Sequence, residues 1–253
     1  MNQPELWQMH FSMYQEKVRW ALDYKRVPHI RHSLLPGPHA AQLMPRFGQK
    51  AMPILRHDGK VLKNSAAILS YIEQTWPDPP LYPQDPALRE QALKTQKWFD
   101  EKIGPAVRCA TFYEILPDTE YSARRIASGL SGLKQKLYVG AFPAVRAVMM
   151  LDMKITPDSA EAGRILTQEA LDFVAENAEQ TGYLVGGQFS VADLTAATVL
   201  FPTCFPPEFP VDIPKPLPPG WEAWLKRWQA HKGCEYVRRI YREYRGQSAA
   251  IDG

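Results

Sequence analysis

Ser12 and Pro53 are the residues of this chain whose types and positions best suit chemistry. Ser12 stands directly ahead of a helical pattern in which Tyr14, Val18, Ala21 and Leu22 recur at i, i+4, i+7 and i+8. The amides and macrodipole of a helix N-terminus favour an anion, and a hydroxyl placed among them can donate to a thiolate. The same position suits an ordinary N-cap, where a serine oxygen satisfies an orphan amide. Both readings share one geometry. Tyr14 is a competing hydroxyl donor, although its apolar helical register favours burial. No cysteine precedes Cys109, so sulfur chemistry at this helix must act on a thiol supplied from outside. The segment is a candidate binder of a small thiol.

Other chemistries lack their residues. There is no glycine-rich phosphate loop, no G-x-S-x-G elbow and no paired Cys or His-Glu zinc pattern, so phosphoryl and metal chemistry are not expected. His29 and His32 lie three apart in a strand pattern, which puts them on opposite faces. Cys109, Cys204 and Cys234 are odd in number and widely spaced, which fits a reducing, cytoplasmic compartment better than a disulfide scaffold. The start of the chain lacks a basic and apolar leader pattern. The best apolar stretch, Ala144 to Leu151, is broken by Arg146 and falls far short of the ~20 residues of a membrane span. A net charge of +3 is spread along the 253 residues, so neither a nucleic-acid surface nor a membrane partner is expected. The densest basic run, Lys232, Arg238, Arg239, Arg242 and Arg245, is interrupted by Glu235 and Glu243 and reads as the solvated face of a C-terminal helix.

The elements that must position Ser12 and Pro53 follow from periodicity. Leu6 to Phe11 reads as a strand, Ser12 as a turn, and the next dozen residues as a helix. His29 to Leu35 fits a second strand, and Pro36 to Gln49 a loop. Pro53 to His57 and Lys60 to Lys63 form a hairpin about Asp58-Gly59, whose residues accept the positive φ of a tight turn. Ser65 opens a helix bearing Ile68, Tyr71, Ile72 and Trp76. The order is βαβ, then ββα. From Pro77 to Pro86, five of ten residues are proline, a stiff extended linker. Beyond it run helical windows at Leu88–Leu116, Ser122–Tyr138 and Ser159–Gln180, the first kinked or divided at Gly104-Pro105. Ser190-Val191-Ala192-Asp193 has the form of a capping box, flanked by Phe189 and Leu194 as a staple. Eight prolines between Pro202 and Pro219 leave an irregular wall or lid. Trp221, Trp224, Leu225 and Trp228 mark a buried face on the last helix.

Four of these segments, in this order, resemble the glutathione transferase family. Ser12 to Leu22 is similar to the serine-led first helix of bacterial and theta-like members, with Met13 where proline is often found. Gly48 to Leu55 resembles the segment that ends in a cis-proline before the third strand. Asn64-Ser65-Ala66-Ala67-Ile68 matches the acid-Ser-x-Ala-Ile element, with Asn64 in place of the acid. Phe189 to Asp193 looks like the capping motif of the helical domain.

The resemblance implies a thioredoxin-like α/β domain over residues 1–78 that binds glutathione as co-substrate. A linker at 79–87 and an all-helical domain over 88–253 follow, the latter shaping a pocket for a small hydrophobic electrophile, as in detoxification. It also implies a homodimer. Ser12 would hold the glutathione thiolate. Met52, before a cis Pro53, would pair its backbone with the cysteinyl part, and Ser65 would take the γ-glutamyl carboxylate. Gln49 or Lys50 would hold the glycyl carboxylate, and Asn64 would lie beside the γ-glutamyl ammonium. Met13, Phe112, Tyr113 and Phe205 are candidates for the electrophile's pocket, each equally suited to ordinary core. A glutathione-dependent disulfide reductase or peroxidase, and a non-catalytic binding or scaffold protein of the same fold, are the rival expectations.

Overall fold

The computed structural model describes residues 2–251. A five-stranded mixed sheet carries the N-terminal third of the chain. β1 (Glu5–Gln8) runs parallel to β2 (His29–Ser33) and antiparallel to β3 (Ile54–His57), which pairs antiparallel with β4 (Lys60–Lys63). Leu6 lies opposite Leu55 in that register, and both are fully buried. α1 (Met13–Tyr24) and α3 (Ser65–Thr75) pack together. Val18 and Leu22 join Ile68, Leu69 and Ile72 in one core cluster.

Two features of this region differ from the sequence expectation. The stretch expected as a loop from Pro36 to Gln49 contains α2 (His39–Phe47), with Pro45 inside it. Its prolines read as breakers, yet Pro38 serves as N-cap and Gly48 closes the helix at φ 68°. Burial of Leu43 in a cluster with Trp7 and Ile54 supplies the packing that outweighs the poor local propensity. The second difference is a fifth strand. β5 (Ala250–Ile251) adds to the sheet in parallel with β2, giving the order β4-β3-β1-β2-β5. The chain's C-terminal tail therefore completes the N-terminal sheet.

The tail is fastened by Arg245, which was expected on a solvated helix face and is instead buried. Its guanidinium donates to Glu16 Oε1 at 2.5 Å and Asp23 Oδ2 at 2.9 Å, and the Ala249 amide adds a third contact to Asp23 at 2.8 Å. Arg19 and Arg31 contact the same two carboxylates. A charge run read in one dimension cannot reveal carboxylates more than two hundred residues away that take one of its members inside.

The remaining chain is helical. α4 (Pro86–Trp98) passes through a π-helical turn, Phe99–Ile103, into α5 (Gly104–Ile115). The division falls at Gly104-Pro105. Added bulk at Gly104 would sit 2.4 Å from the Tyr14 hydroxyl, so the glycine permits α1 to approach. The window expected as one helix over Ser122–Tyr138 is two, α6 (Thr119–Ile126) and α7 (Gly132–Asp152). Between them the segment 127–131 holds Ser128, Gly129 and Ser131, residues that favour turns and caps over helix interiors.

α8 (Pro157–Asn177) follows, then α9 (Val191–Cys204), every residue of which is buried. A helix apolar on all sides belongs at the centre, and α9 packs against α1, α4 and α5. Its capping box forms, and the Asp193 carboxylate also accepts from the Leu184 amide at 2.8 Å and the Tyr236 hydroxyl at 2.7 Å. The proline-rich segment after α9 is irregular until α10 (Pro219–Trp228), whose three tryptophans are buried. α10 is the penultimate helix; α11 (Lys232–Tyr244) leads to β5. Between α3 and α4, Lys25 pairs with Glu73 at 2.7 Å and donates to the carbonyls of Pro77 and Pro79.

Candidate active site

α1 begins where β1 ends, so its first turn lies at the edge of the sheet, facing α5 and the π-helical turn. Ser12 has the extended backbone of an N-cap, but its hydroxyl makes no capping hydrogen bond. Gln15 Oε1 accepts from the Met9 amide at 2.9 Å, which ties the first turn to the end of the preceding loop and leaves the first amides of α1 without a side-chain cap. Ser12 is half-buried and its hydroxyl remains available. Tyr14, the competing donor, has its hydroxyl committed to the Asp100 carbonyl at 3.0 Å. Burial pushes the Tyr14 phenol up to about 12, so it stays a neutral donor with a fixed acceptor. Asp100 is held in turn by Lys17, at 2.5 and 2.7 Å.

Two cavities meet at this turn. The polar one, of about 640 Å³, is lined by Gln49, Met52, Pro53, Asn64 and Ser65 together with Lys63, Gln96, Lys97, Asp100 and Glu101. The Met52-Pro53 bond is cis. Asn64 takes φ 83°, a region Asn enters more readily than most residues, and its Oδ1 accepts from the Ala66 amide at 2.8 Å. Asn64 is thus the N-cap of α3, and Ser65, expected to open the helix, is its buried first residue.

The second cavity, of about 560 Å³, is more apolar and lies between α1, α5, α7 and the 36–40 segment. Ser12, Met13 and Phe112 line it; Tyr14, Ala51 and Met52 border both cavities. The structure therefore brings Gln49, Met52, Pro53, Asn64 and Ser65 around one space, and Ser12, Met13 and Phe112 around the adjoining one. Lys50 faces the second cavity, where its ammonium pairs with Asp152 of α7 at 3.0 Å. Tyr113 lines neither; its ring lies beneath Arg164. Phe205 also lines neither and packs edge-on against Trp221.

Several lining residues carried no sequence signal. Gln96 is buried with its Nε2 unpartnered at the polar cavity. Arg108, Thr111 and Arg125 lie in the wall of the apolar one. A helical register can suggest that such positions turn inward, but not that their polar atoms lack partners there. Among the described residues no cluster of three or more His, Cys, Asp or Glu could hold a metal.

Comparison with known proteins agrees with this architecture. The family model for the glutathione S-transferase N-terminal domain matches residues 6–80, and that for the C-terminal domain matches residues 157–227. The chain belongs to the glutathione S-transferase family. It is similar to glutathione S-transferase U4 of Arabidopsis thaliana, 35% identical over 97 residues, covering 37% of this chain and 42% of the relative. A probable glutathione S-transferase of Nicotiana tabacum is 30% identical over 135 residues, covering 50% of this chain and 56% of the relative. The matched region thus spans less than half the length of the first of these curated relatives.

Among solved structures, a beta-etherase from Sphingobium shares the fold at TM-score 0.62 and 20% identity, over 94% of this chain and 99% of that one. A theta class glutathione S-transferase from Xanthomonas axonopodis pv. citri with glutathione bound shares it at TM-score 0.53 and 18% identity, over 93% of this chain and 96% of that one. No helix among the described residues is long and apolar enough to cross a membrane.

Proposed function

We propose that the protein is a cytoplasmic, homodimeric glutathione transferase that joins the glutathione thiolate to a small hydrophobic electrophile. The observation that carries this reading is Ser12: an N-cap hydroxyl that caps nothing, at a helix N-terminus, facing a cavity that adjoins a polar one. Glutathione in the polar cavity would set its cysteinyl backbone against Met52, its γ-glutamyl carboxylate at Ser65 and its glycyl carboxylate near Gln49 and Lys63. Asn64 is neutral, so Glu101 is the carboxylate in that lining best suited to the γ-glutamyl ammonium: Asp100 is held by buried Lys17 at 2.5 Å, whereas Glu101 has only a looser, exposed pairing with Lys97 at 3.6 Å. The sulfur would then reach the border of the two cavities beside Ser12, whose hydroxyl donates to it.

The chemistry is a displacement or addition at carbon. The thiol proton passes to solvent and the sulfur–carbon bond forms; in a displacement the leaving group departs with its bonding pair, and in an addition the π pair moves to the neighbouring atom, which takes a proton from solvent. Ser12 and the first amides of α1 favour the thiolate over the thiol; Met13 and Phe112 place the electrophile. The test combines glutathione affinity chromatography with turnover of a halide electrophile and of a mixed disulfide. Retention with halide turnover supports the proposal. Turnover of the disulfide alone would assign the site to glutathione-dependent reduction, and failure to retain glutathione with the fold intact would assign a non-catalytic role.

A further inference from the structure

The cavity beside Ser12 carries more positive charge than its own walls neutralise. Lys50, Arg108 and Arg125 line it, and Asp152 is the carboxylate in that lining among the described residues. Lys50 takes Asp152, which leaves both arginines without an acidic partner there. Arg125 projects from α6 and is 5% exposed. Its guanidinium lies over the Trp221 ring, 4.7 Å from the centroid. Stacking of this kind engages the face of the fork and leaves its in-plane N–H donors free. Burial in a low dielectric, opposed only weakly by neighbouring Tyr121 and by no carboxylate, pushes the Arg125 pKa down to about 10. Arg108, on α5, has its Nε buried without an acceptor. Thr111 lies three positions further along α5, on the same side of the helix, 6% exposed, with its Oγ1 also unpartnered. Buried polar groups normally find partners, and an unpaired buried cation is costlier than any other kind. Two guanidinium groups and a hydroxyl lie in one lining whose carboxylate among the described residues is already paired with Lys50, which describes a site for an anion that arrives from outside.

Building on the transferase reading, we infer that the second substrate is an electrophile carrying a carboxylate, held by Arg125 and Arg108 while its carbon skeleton lies against the apolar wall. Met13, Phe112, Val145, Met149 and Phe201 supply that wall. Glutathione's own carboxylates do not account for the arginines, because the polar cavity has its own donors in Ser65, Lys63 and Lys97. A planar guanidinium matches a carboxylate with two parallel hydrogen bonds, which adds orientation to attraction. The reacting carbon would then be fixed between the carboxylate anchor and the sulfur.

The test uses para-(chloromethyl)benzoate and its methyl ester, which differ in charge and little in shape. In both, the glutathione sulfur bonds to the benzylic carbon as chloride leaves with the bonding pair. The wild-type protein should favour the acid over the ester in kcat/KM by about tenfold or more, the scale of one charge-assisted hydrogen bond. In Arg125→Gln that ratio should collapse towards unity, mainly through KM, and Arg108→Gln should lower it independently. Equal kcat/KM for acid and ester in the wild type overturns the inference, and that measurement needs no variant to fold. Equal losses for both substrates in the variants also overturn it, since the arginines would then serve the sulfur. Calorimetric binding of unreactive para-methylbenzoate and its methyl ester separates the two readings. Tighter binding of the acid by about tenfold without any conjugation would sink the transferase reading and leave the anion site standing. Conjugation without discrimination would do the reverse.

Discussion

Replacing Ser12 by alanine should produce a defect whose size depends on pH, and the dependence can be worked out in advance. The hydroxyl makes no capping bond, so its removal costs the helix little and, on the proposed reading, acts on the bound sulfur. A hydrogen bond to a charged acceptor contributes about 1.5–3 kcal/mol, equivalent to about 1.1–2.2 pKa units at 1.36 kcal/mol per unit. Take a bound thiol near ~6.5 in the wild type and near ~8 in the variant, against ~8.5 for a free thiol. At about pH 6.5 the thiolate fraction then falls from ~50% to ~3%, whereas at about pH 9 it changes only from ~100% to ~91%. A more basic sulfur is also a better nucleophile; with a Brønsted slope of ~0.45 the variant gains about fivefold at every pH. The net effect is a loss of about threefold to fourfold at the lower pH and a gain of about fourfold at the higher, crossing over near pH ~7.4. Any positioning contribution from Ser12 shifts both ends alike, so the variant's relative rate should still rise about fifteenfold across the range. Single-turnover conjugation at saturating glutathione measures this, with ultraviolet titration of the bound thiolate as an independent reading of its pKa. A uniform loss at all pH values would refute thiolate stabilisation, and an unchanged rate would remove Ser12 from the chemistry.

Other consequences concern the frame around the site. Arg245→Ala leaves buried Glu16 and Asp23 each short of one cation; stability should fall by about 3 kcal/mol, a drop of roughly 6–12 °C in melting temperature, and a change under about 1 kcal/mol would show that Arg19 and Arg31 suffice. Asp193→Ala removes the acceptor of two buried amides and the Tyr236 hydroxyl, so urea denaturation should show a loss of about 3–5 kcal/mol against about 1 kcal/mol for an ordinary lost cap. Burial lowers the His29 pKa from the ordinary 6.5, with Arg31 adding to the shift, and burial with Arg19 lowers that of His10. The unfolded chain therefore binds more protons than the folded one below about pH 6.5. The stability these rings lend is fully present above that value and is lost as pH falls through their depressed folded pKa values. Urea midpoints should accordingly drop between about pH 7.5 and pH 5.5, and a midpoint that held or rose would contradict the assignment of neutral buried rings.

The glutathione half of the molecule was legible because its signals are local. A helix register after Ser12, an Asp-Gly hairpin turn and a helix start at Ser65 each occupy a few consecutive residues, and the order of the first four strands follows from them; that Asn64 caps the Ser65 helix at positive φ was not among these signals. What was hidden depends on distant partners. α2 forms across prolines because Leu43 is buried by Trp7 and Ile54. Arg245 leaves solvent because two carboxylates of α1 await it. β5 pairs with β2 at the end of a tail that Arg245 and the Ala249 amide tie to α1. Phe112 and Tyr113 are adjacent and alike in sequence, yet one lines the cavity and the other does not, a difference of about 100° around α5 that only the packing of its neighbours decides.

That asymmetry bears on where catalytic power resides. Lowering a thiol pKa from ~8.5 by about two units represents ~2.7 kcal/mol of preference for the anion and raises the thiolate fraction at about pH 7 from ~3% to ~76%, some 25-fold. The accompanying loss of nucleophilicity, with a slope of ~0.45, takes back about eightfold, so only about threefold survives. Whatever larger acceleration the protein achieves must come from holding the electrophile against the sulfur, where effective molarities allow many orders of magnitude. The groups able to do that are contributed by α1, the 36–40 segment, α5, α6, α7 and α9, which approach one another only in the folded chain. On the proposed reading, Ser12 prepares a nucleophile that any carbon centre could meet. The wall opposite it, where Arg108 and Thr111 leave polar atoms unpartnered and Arg125 has no acidic partner, would on the same reading decide which centre is brought there.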